Sequence, residues 1–351
     1  MSLKRTALAI VIALVQTHVA AAAPTTDADW RAVNAALDRK DPAEARRLAE
    51  ALAATGDPEA LNGLAVFVNQ GIGGPPDPVR GRALLEKAAA AGSVGAKLNL
   101  AGILSQGDRG GYPRAIQLLQ DVVADPRAGR LAYYPFGRML VLGGDGKQDL
   151  ITGVDYLKRA VAADPGNADA QFLVARAYQN GWGGTERSPE KAFEHFLAAS
   201  KLGDERALRY VGMARLEGTG TTKDPVAALA DLKLAADRGN VWAMLDVGVM
   251  LALGEGVAAD PAQARSWYEK AARRGSAHGL RSLGAMLLQG DGGPADRVRG
   301  RAYLELAMEA GEPNAQAVAQ ELFRDPSPSE RAAIDEAKTD WLKAAPKPTV
   351  D

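Results

Sequence analysis

Apolar and small positions recur along the chain with a period of about 36 residues. Seven repeats start at residues 56, 92, 128, 166, 203, 239 and 275 and are called repeats 1 to 7 below. Eight residues after each start lies a branched or large apolar residue, which predicts a buried column: Leu64, Leu100, Phe136, Val174, Val211, Val247 and Leu283. Small residues stand four and nine positions after each start, where they let helix axes approach to ~8 Å. A period of this length is typical of helical solenoids.

A glycine column predicts where the first helix of each repeat, helix A, ends. Glycine stands fifteen residues after every start, at Gly71, Gly107, Gly143, Gly181, Gly218, Gly254 and Gly290. It fits a left-handed C-cap, a conformation that only glycine adopts at low cost. Helix B then begins where a polar N-cap precedes a proline, as in Asp224-Pro225 and Asp260-Pro261. One helix pair cannot bury its apolar face alone, so the pairs are predicted to stack on their neighbours.

The regions beside the repeats differ from them and are predicted to cap the array. Residues 24–55 contain a helix pair without the glycine column. At the other end, residues 312–344 are predicted to be capping helices, and Ser327, Pro328 and Glu330 provide the N-cap, first-turn proline and capping box of the last one. Residues 345–351 are polar and contain proline, which predicts a disordered tail. The predicted fold is an all-α solenoid of about seven 36-residue helix-turn-helix repeats over residues 56–311.

The first 23 residues have the pattern of a secretory signal peptide. Lys4 and Arg5 precede an apolar run at residues 7–15, and small residues follow at 20–23. The run is too short to span a bilayer, which takes ~20 residues. Cleavage is predicted near Pro24, so we expect an exported chain with no integral membrane segment after the signal is removed.

Composition excludes several classes of function. The chain has 42 basic and 43 acidic residues among 351, so its net charge of -1 gives no electrostatic reason to bind nucleic acid. It has no cysteine, which excludes disulfides, thiolate zinc sites, iron–sulfur clusters and a cysteine nucleophile. We expect no cofactor.

The residues that could carry catalysis favour a chain that is not an enzyme. Beyond the signal peptide the only histidines are His195 and His278, in different repeats and without metal-ligand spacing. The stretch after Leu142 resembles a phosphate loop superficially, but Val141 stands where a Walker A glycine is required and Gln148 replaces the Ser or Thr.

The loop and second helix of the repeats carry a recognisable motif. In repeat 6 the loop reads Gly-Glu-Gly-Val from Gly254, and helix B contains Ala-Arg-Ser-Trp-Tyr-Glu-Lys-Ala-Ala from Ala264. This pattern resembles the Sel1-like repeat (SLR) family, a relation of the tetratricopeptide repeat. The resemblance covers residues 56–311, and repeats 2 and 3 depart most, because Arg109 and Asp145 replace the second loop glycine.

The resemblance implies a right-handed superhelix and a non-catalytic adaptor that binds protein partners. For an exported bacterial member it implies the periplasm, in envelope signalling or assembly. Two alternatives stay open. One is an accessory factor of polysaccharide export or cell-wall machinery that binds glycan or peptidoglycan. The other is a cell-wall hydrolase or β-lactamase-like enzyme, an activity assigned to cysteine-rich relatives whose cysteines are absent here.

The columns that vary between repeats predict a binding surface on helix A. Offsets three and seven differ by four residues and therefore share one helix face. In repeats 5 to 7 they bring together aromatic and charged residues suited to an interface hot spot. The candidate partner-binding residues are Arg206, Tyr210, Trp242, Asp246 and His278. The alternative is that Tyr210 and Trp242 pack between repeats.

Overall fold

The computed structural model describes residues 26–106, 109–144, 146–322 and 326–350. These residues form α-helices, short 3-10 turns and one isolated β-bridge, and they contain no β-strand. They fall into two compact units. The first runs to Pro165 and includes Trp182–Gly184, and the second takes Gly166–Gly181 and continues from Thr185. The predicted signal peptide lies outside the described residues.

The first unit begins with a helix pair and continues through repeats 1 to 3. Its helices are α1 (Thr26–Asp38), α2 (Pro42–Ala53), α3 (Pro58–Gln70), α4 (Pro78–Ala90), α5 (Val94–Gln106), α6 (Tyr112–Val123), α7 (Tyr133–Leu142) and α8 (Leu150–Ala163). Trp30 of α1 is buried and lies against the Cα of Gly63, where a Cβ atom would be 2.2 Å from the indole. The α1–α2 pair thus covers the exposed end of repeat 1.

The second unit contains repeats 4 to 7 and two further helices. Its helices are α9 (Ala168–Asn180), α10 (Pro189–Lys201), α11 (Glu205–Glu217), α12 (Pro225–Asp237), α13 (Val241–Leu253), α14 (Pro261–Arg273), α15 (Ala277–Gln289), α16 (Arg297–Glu309), α17 (Ala315–Leu322) and α18 (Pro328–Ala344). The A helices are α9, α11, α13 and α15, and the B helices are α10, α12, α14 and α16. The prediction of an all-α solenoid of helix pairs is confirmed.

The glycine column ends the A helices as predicted. At Gly254 the backbone is left-handed, with φ of 70°, and its N–H donates to the carbonyl of Met250. The same cap occurs at every column position that the structure describes: Gly71, Gly143, Gly181, Gly218, Gly254 and Gly290. The predicted core column is also confirmed, since each of its seven residues is at most 3% exposed.

The second loop glycine has a role that the sequence did not reveal. Gly220 also has a positive φ, 72°, and its Cα lies against the first residue of the preceding helix B. A Cβ atom there would be 2.1 Å from the carbonyl oxygen of Pro189. Gly73 and Gly292 approach Pro42 and Pro261 in the same way. The loop of one repeat therefore rests directly on the backbone of the repeat before it.

Helix α18 packs on α16 and buries Ile334 and Trp341. The six residues that follow differ from the prediction of a disordered tail. Thr349 forms a parallel β-bridge with Ser276, and Pro348 is buried. The tail is ordered because its main chain pairs with a turn, a partner that side-chain composition does not encode.

Acid is expected to weaken the contact between α18 and α16. Burial favours a raised pKa at Glu305, but hydrogen bonds from Arg301 and Arg331, with the charges of Arg331 and Lys338, lower its pKa below the ordinary value of 4.5. Such a group stabilises the fold above its unfolded-state pKa, and this contribution is lost as the pH falls through the folded-state pKa. Between pH 7 and pH 3, the free energy of unfolding measured in urea should fall less for Glu305→Gln than for the natural chain. We expect a difference of about 1 kcal/mol or less, since the ion pairs are partly exposed. Equal losses would contradict this role of Glu305.

Candidate functional site

The five candidate residues lie on three successive A helices of the second unit. Arg206 and Tyr210 are on α11, Trp242 and Asp246 on α13, and His278 on α15. Among these five, the rings of Trp242 and His278 are in direct contact, with centroids 5.2 Å apart and planes at 54°. We call the side of α9, α11, α13 and α15 that carries these residues and their contacts the A face.

Arg206 is held at the surface by two carboxylates. Its guanidinium pairs with Asp169 of α9 and with Asp204, the N-cap residue of α11, and it lies 4.1 Å from the ring centroid of Phe172. The hydrogen bond with Asp204 is the main cause that raises the pKa of Arg206, with burial opposing it and Asp169 adding to it. Arg206 therefore presents a permanent and well-oriented positive charge.

Tyr210 packs between repeats 4 and 5. Its ring stacks on Phe196 at 4.5 Å with the planes 3° apart, and it meets the edge of Phe172 at 5.7 Å. Its hydroxyl accepts a hydrogen bond from Arg176. These contacts favour the packing alternative for Tyr210.

Trp242 is the exposed aromatic residue of the A face, with 38% of its surface accessible. The guanidinium carbon of Arg209, on α11, is 5.8 Å from the ring centroid, and the ring of His278, on α15, is in contact with the indole. Arg209 is fixed by donating to both carboxylate oxygens of Asp246, one bond being 3.2 Å long. Val249, two turns further along α13, is 41% exposed and extends the apolar surface. Tryptophan and arginine are among the residues most enriched at interface hot spots.

His278 and Arg281 share a buried carboxylate. The Nε2 atom of His278 is 3.7 Å, and the Nε atom of Arg281 3.2 Å, from Oε1 of Glu312. The side chain of Glu312 has no exposed surface, and within the described residues neither of its oxygens accepts a hydrogen bond. Glu312 stands in the column of the N-cap residues Asp204 and Ser276, but its side chain turns to α15. Its carboxylate therefore lies close to both side chains at this end of the A face.

The residues that sequence reasoning missed are mainly the partners of the candidate residues: Asp169, Phe172, Arg176, Arg209, Arg281 and Glu312. The sequence does contain a pattern that indicates two of them, Asp169 and Arg209. Asp169 and Arg206, and likewise Arg209 and Asp246, are opposite charges 37 residues apart, which is about one repeat. Helix periodicity alone selects residues on one helix, whereas these pairs join neighbouring A helices.

The other histidine has a packing environment. Nδ1 of His195 is 2.7 Å from Oε1 of Gln171, and its ring stacks on Tyr178 with centroids 5.7 Å apart. The described residues contain no group of three or more carboxylate or histidine side chains that could hold a metal ion. A membrane-spanning helix is likewise not found within that part of the chain.

A comparison with protein-family models identifies the repeat. The model described as Sel1 repeat matches residues 58–93, 130–165, 168–204, 206–240, 243–276 and 277–312, which is more than half of the chain. The chain belongs to the Sel1 repeat family. Sel1 repeats are generally non-enzymatic scaffolds for protein–protein interaction. A search of curated proteins finds no significant match.

Two solved Sel1-type structures resemble the whole array. A Sel1 repeat protein from Oxalobacter formigenes is 25% identical with a TM-score of 0.63, and the match covers 90% of this chain and 91% of that one. A protective antigen of uropathogenic Escherichia coli with an SLR fold is 20% identical with a TM-score of 0.58, covering 87% and 73%. The second likeness shows the fold alone.

The Sel1 model has no match over residues 94–129, which correspond to repeat 2. This repeat joins its helices α5 and α6 by five residues, whereas seven residues join α3 and α4. Ile103 is 37% exposed there, although Phe67, Met250 and Met286 in the same column are buried. Seven repeats are therefore present by period, and six fit the Sel1 pattern.

Proposed function

We propose that this Sel1 repeat chain is a non-enzymatic scaffold that binds a protein partner through the A face of its second unit. The observation that carries the proposal is the exposed indole of Trp242, which lies beside Arg209 and in contact with His278. Arg209 is itself held by hydrogen bonds to Asp246. Preorganised side chains lose little conformational entropy on binding, so such a surface suits recognition. The generic role of Sel1 repeats in protein–protein interaction supports the same reading.

The proposed location is the bacterial periplasm, with a role in envelope signalling or assembly. The basis is the charged and apolar pattern of residues 1–23. If the chain is exported, the mature protein recovered from the periplasmic fraction should begin near Pro24. Intact-mass measurement of the expressed full-length chain tests this. Recovery of the uncleaved chain from the cytoplasm would contradict it.

Trp242→Ala is expected to weaken partner binding by about 2 kcal/mol or more, which is roughly thirtyfold, because truncation of a central aromatic residue is among the costliest interface changes. The partner is first captured from an envelope extract with mild crosslinking and identified by mass spectrometry. Its purified form is then titrated against the natural chain and the variant. The fold should survive, because the indole is only partly buried.

Val226→Ala provides the matched control, since Val226 is 69% exposed on α12, a B helix outside the A face. Equal affinity of Trp242→Ala and the natural chain would move the site off the A face. Trp242-dependent, saturable binding of glycan or peptidoglycan fragments, with no protein partner, would instead favour the glycan-binding alternative.

A further inference from the structure

The turn that joins α14 to α15 carries an extended peptide, the chain's own C-terminal tail. The N–H of Thr349 donates to the carbonyl of Gly275 at 2.8 Å, and the N–H of Ala277 donates to the carbonyl of Thr349 at 3.1 Å. Pro348, just before the paired residue, is buried. Main-chain pairing with an extended segment, together with one buried side chain, is how strand addition recognises peptides.

The equivalent turns of other repeats lack this cover. A Cβ atom added at Gly92 or Gly203 would meet nothing within 4 Å. At Gly275 it would meet Pro346 at 3.6 Å and the carbonyl of Lys347 at 3.7 Å. Gly275 is buried, whereas Gly92 and Gly203 are exposed. At Gly239, the same position in repeat 6, a Cβ atom would meet the guanidinium of Arg274 at 2.9 Å. Among these four turns, that of Gly275 is the one covered by an extended peptide.

The hydrogen bond from Ala277 is not required to form its helix. Ala277 is the first residue of α15, and the first amides of a helix have no partner within it. The same position in repeat 1 is Pro58, which has no N–H and still begins α3. The tail thus uses a donor that the helix leaves available.

Much of the tail remains accessible to solvent. Its main chain is bonded to the turn and Pro348 is buried, while Pro346, Lys347, Thr349 and Val350 are exposed. The net gain from such bonds is of the same order as the entropy lost by ordering the segment. Prolines reduce that loss, because they restrict the unbound chain to extended conformations.

We propose that the Gly275–Ala277 turn is a peptide-binding slot, occupied in cis by the C-terminal tail, and that an extended proline-containing segment of a protein partner replaces the tail there. The tail itself shows the chemistry that the slot accepts. His278 follows Ala277 directly in the chain, so the slot borders the A face. The inference concerns main-chain recognition and does not depend on Trp242.

The test uses the full chain with Thr349→Pro, which removes the N–H that pairs with Gly275 and frees the slot. A fluorescently labelled peptide of residues 343–351 is titrated and followed by anisotropy. We expect saturable binding to this variant and at least tenfold weaker apparent binding to the natural chain, where the tail competes at an effective concentration on the order of millimolar. The same peptide carrying Thr349→Pro should not bind.

A second substitution locates the slot. Ala277→Pro, added to the Thr349→Pro chain, removes the donor at a position where proline is natural in repeat 1. It should weaken peptide binding about tenfold, the effect of one hydrogen bond. Val241→Pro, at the equivalent position of α13, should leave binding unchanged, and so should Trp242→Ala.

Two outcomes would overturn the proposal. One is no saturable peptide binding to the Thr349→Pro chain, and the other is equal binding with and without Ala277→Pro. Hydrogen exchange provides a readout independent of peptide affinity. The Ala277 amide should be protected in the natural chain and exposed after Thr349→Pro, while the Val241 amide should exchange rapidly in both.

Discussion

Gly220→Ala is expected to lower the free energy of unfolding of the second unit by about 3 kcal/mol or more, combining left-handed backbone strain with overpacking. The new Cβ atom would be 2.1 Å from the carbonyl oxygen of Pro189 and 2.8 Å from the amide nitrogen of Glu190. Both contacts are with backbone, so no side-chain rotation can relieve them. The loop must move away from α10, which loosens repeat 5 from repeat 4. Urea unfolding followed by circular dichroism measures the loss.

Gly203→Ala is the matched control. Gly203 also has a positive φ, 96°, but a Cβ atom there would meet nothing within 4 Å. This substitution therefore adds backbone strain alone, about 1 to 2 kcal/mol. If the two variants lose the same stability, the second loop glycine serves only the turn and does not join neighbouring repeats.

The helices could be predicted from the sequence because their boundaries have local causes. A left-handed cap selects glycine at Gly254, and proline at Pro261 suits the first helical position, so each repeat marks its own ends. The contact of Gly220 is different, because its partner, Pro189, lies in the preceding repeat. The sequence of a single repeat shows that a glycine is present, but it does not show which backbone atoms of the preceding repeat contact it.

The sequence predicted which repeat positions lie on the A face, but it did not predict the contacts between their side chains. Spacing by four residues placed Trp242 beside Asp246 on one helix, but it could not show that Asp246 fixes Arg209 from the neighbouring helix. It also could not separate Tyr210, which stacks on Phe196, from Trp242, which remains exposed. Both distinctions depend on how far one A helix is displaced from the next, a quantity set by packing.

The order of the C-terminal tail could not be predicted from its sequence. Its polar composition and prolines are typical of disorder, yet a tail can be ordered through its backbone alone. Thr349 pairs with the main chain of Gly275 and Ala277, and these contacts need no particular side chain. The polar pattern therefore does not show where these main-chain bonds form, although Pro348 becomes buried beside them.

Trp341→Ala is expected to reduce the stability of the C-terminal end of the array by about 3 to 5 kcal/mol, the range for truncating a buried tryptophan. Trp341 is 5% exposed and belongs to a core cluster with Leu280 and Leu306. Its ring lies 4.6 Å from that of Tyr303, centroid to centroid. Neighbour contacts supply most of the stability of a solenoid, so loss of its terminal cover should first release α18 and then α16. Hydrogen exchange should show this order, with amides of α16 losing more protection than those of α11.

Trp341→Phe distinguishes packing from hydrogen bonding at this position. The indole Nε1 of Trp341 is buried and has no hydrogen-bond partner within the described residues. A buried donor without a partner costs about 1 to 3 kcal/mol, so phenylalanine removes a penalty while keeping an aromatic ring. We therefore expect Trp341→Phe to retain most of the stability that Trp341→Ala loses. If both variants are equally unstable, the prediction is wrong and the phenyl ring does not replace the packing of the indole. Near-natural stability of Trp341→Ala would instead show that α18 covers the last repeat without anchoring it.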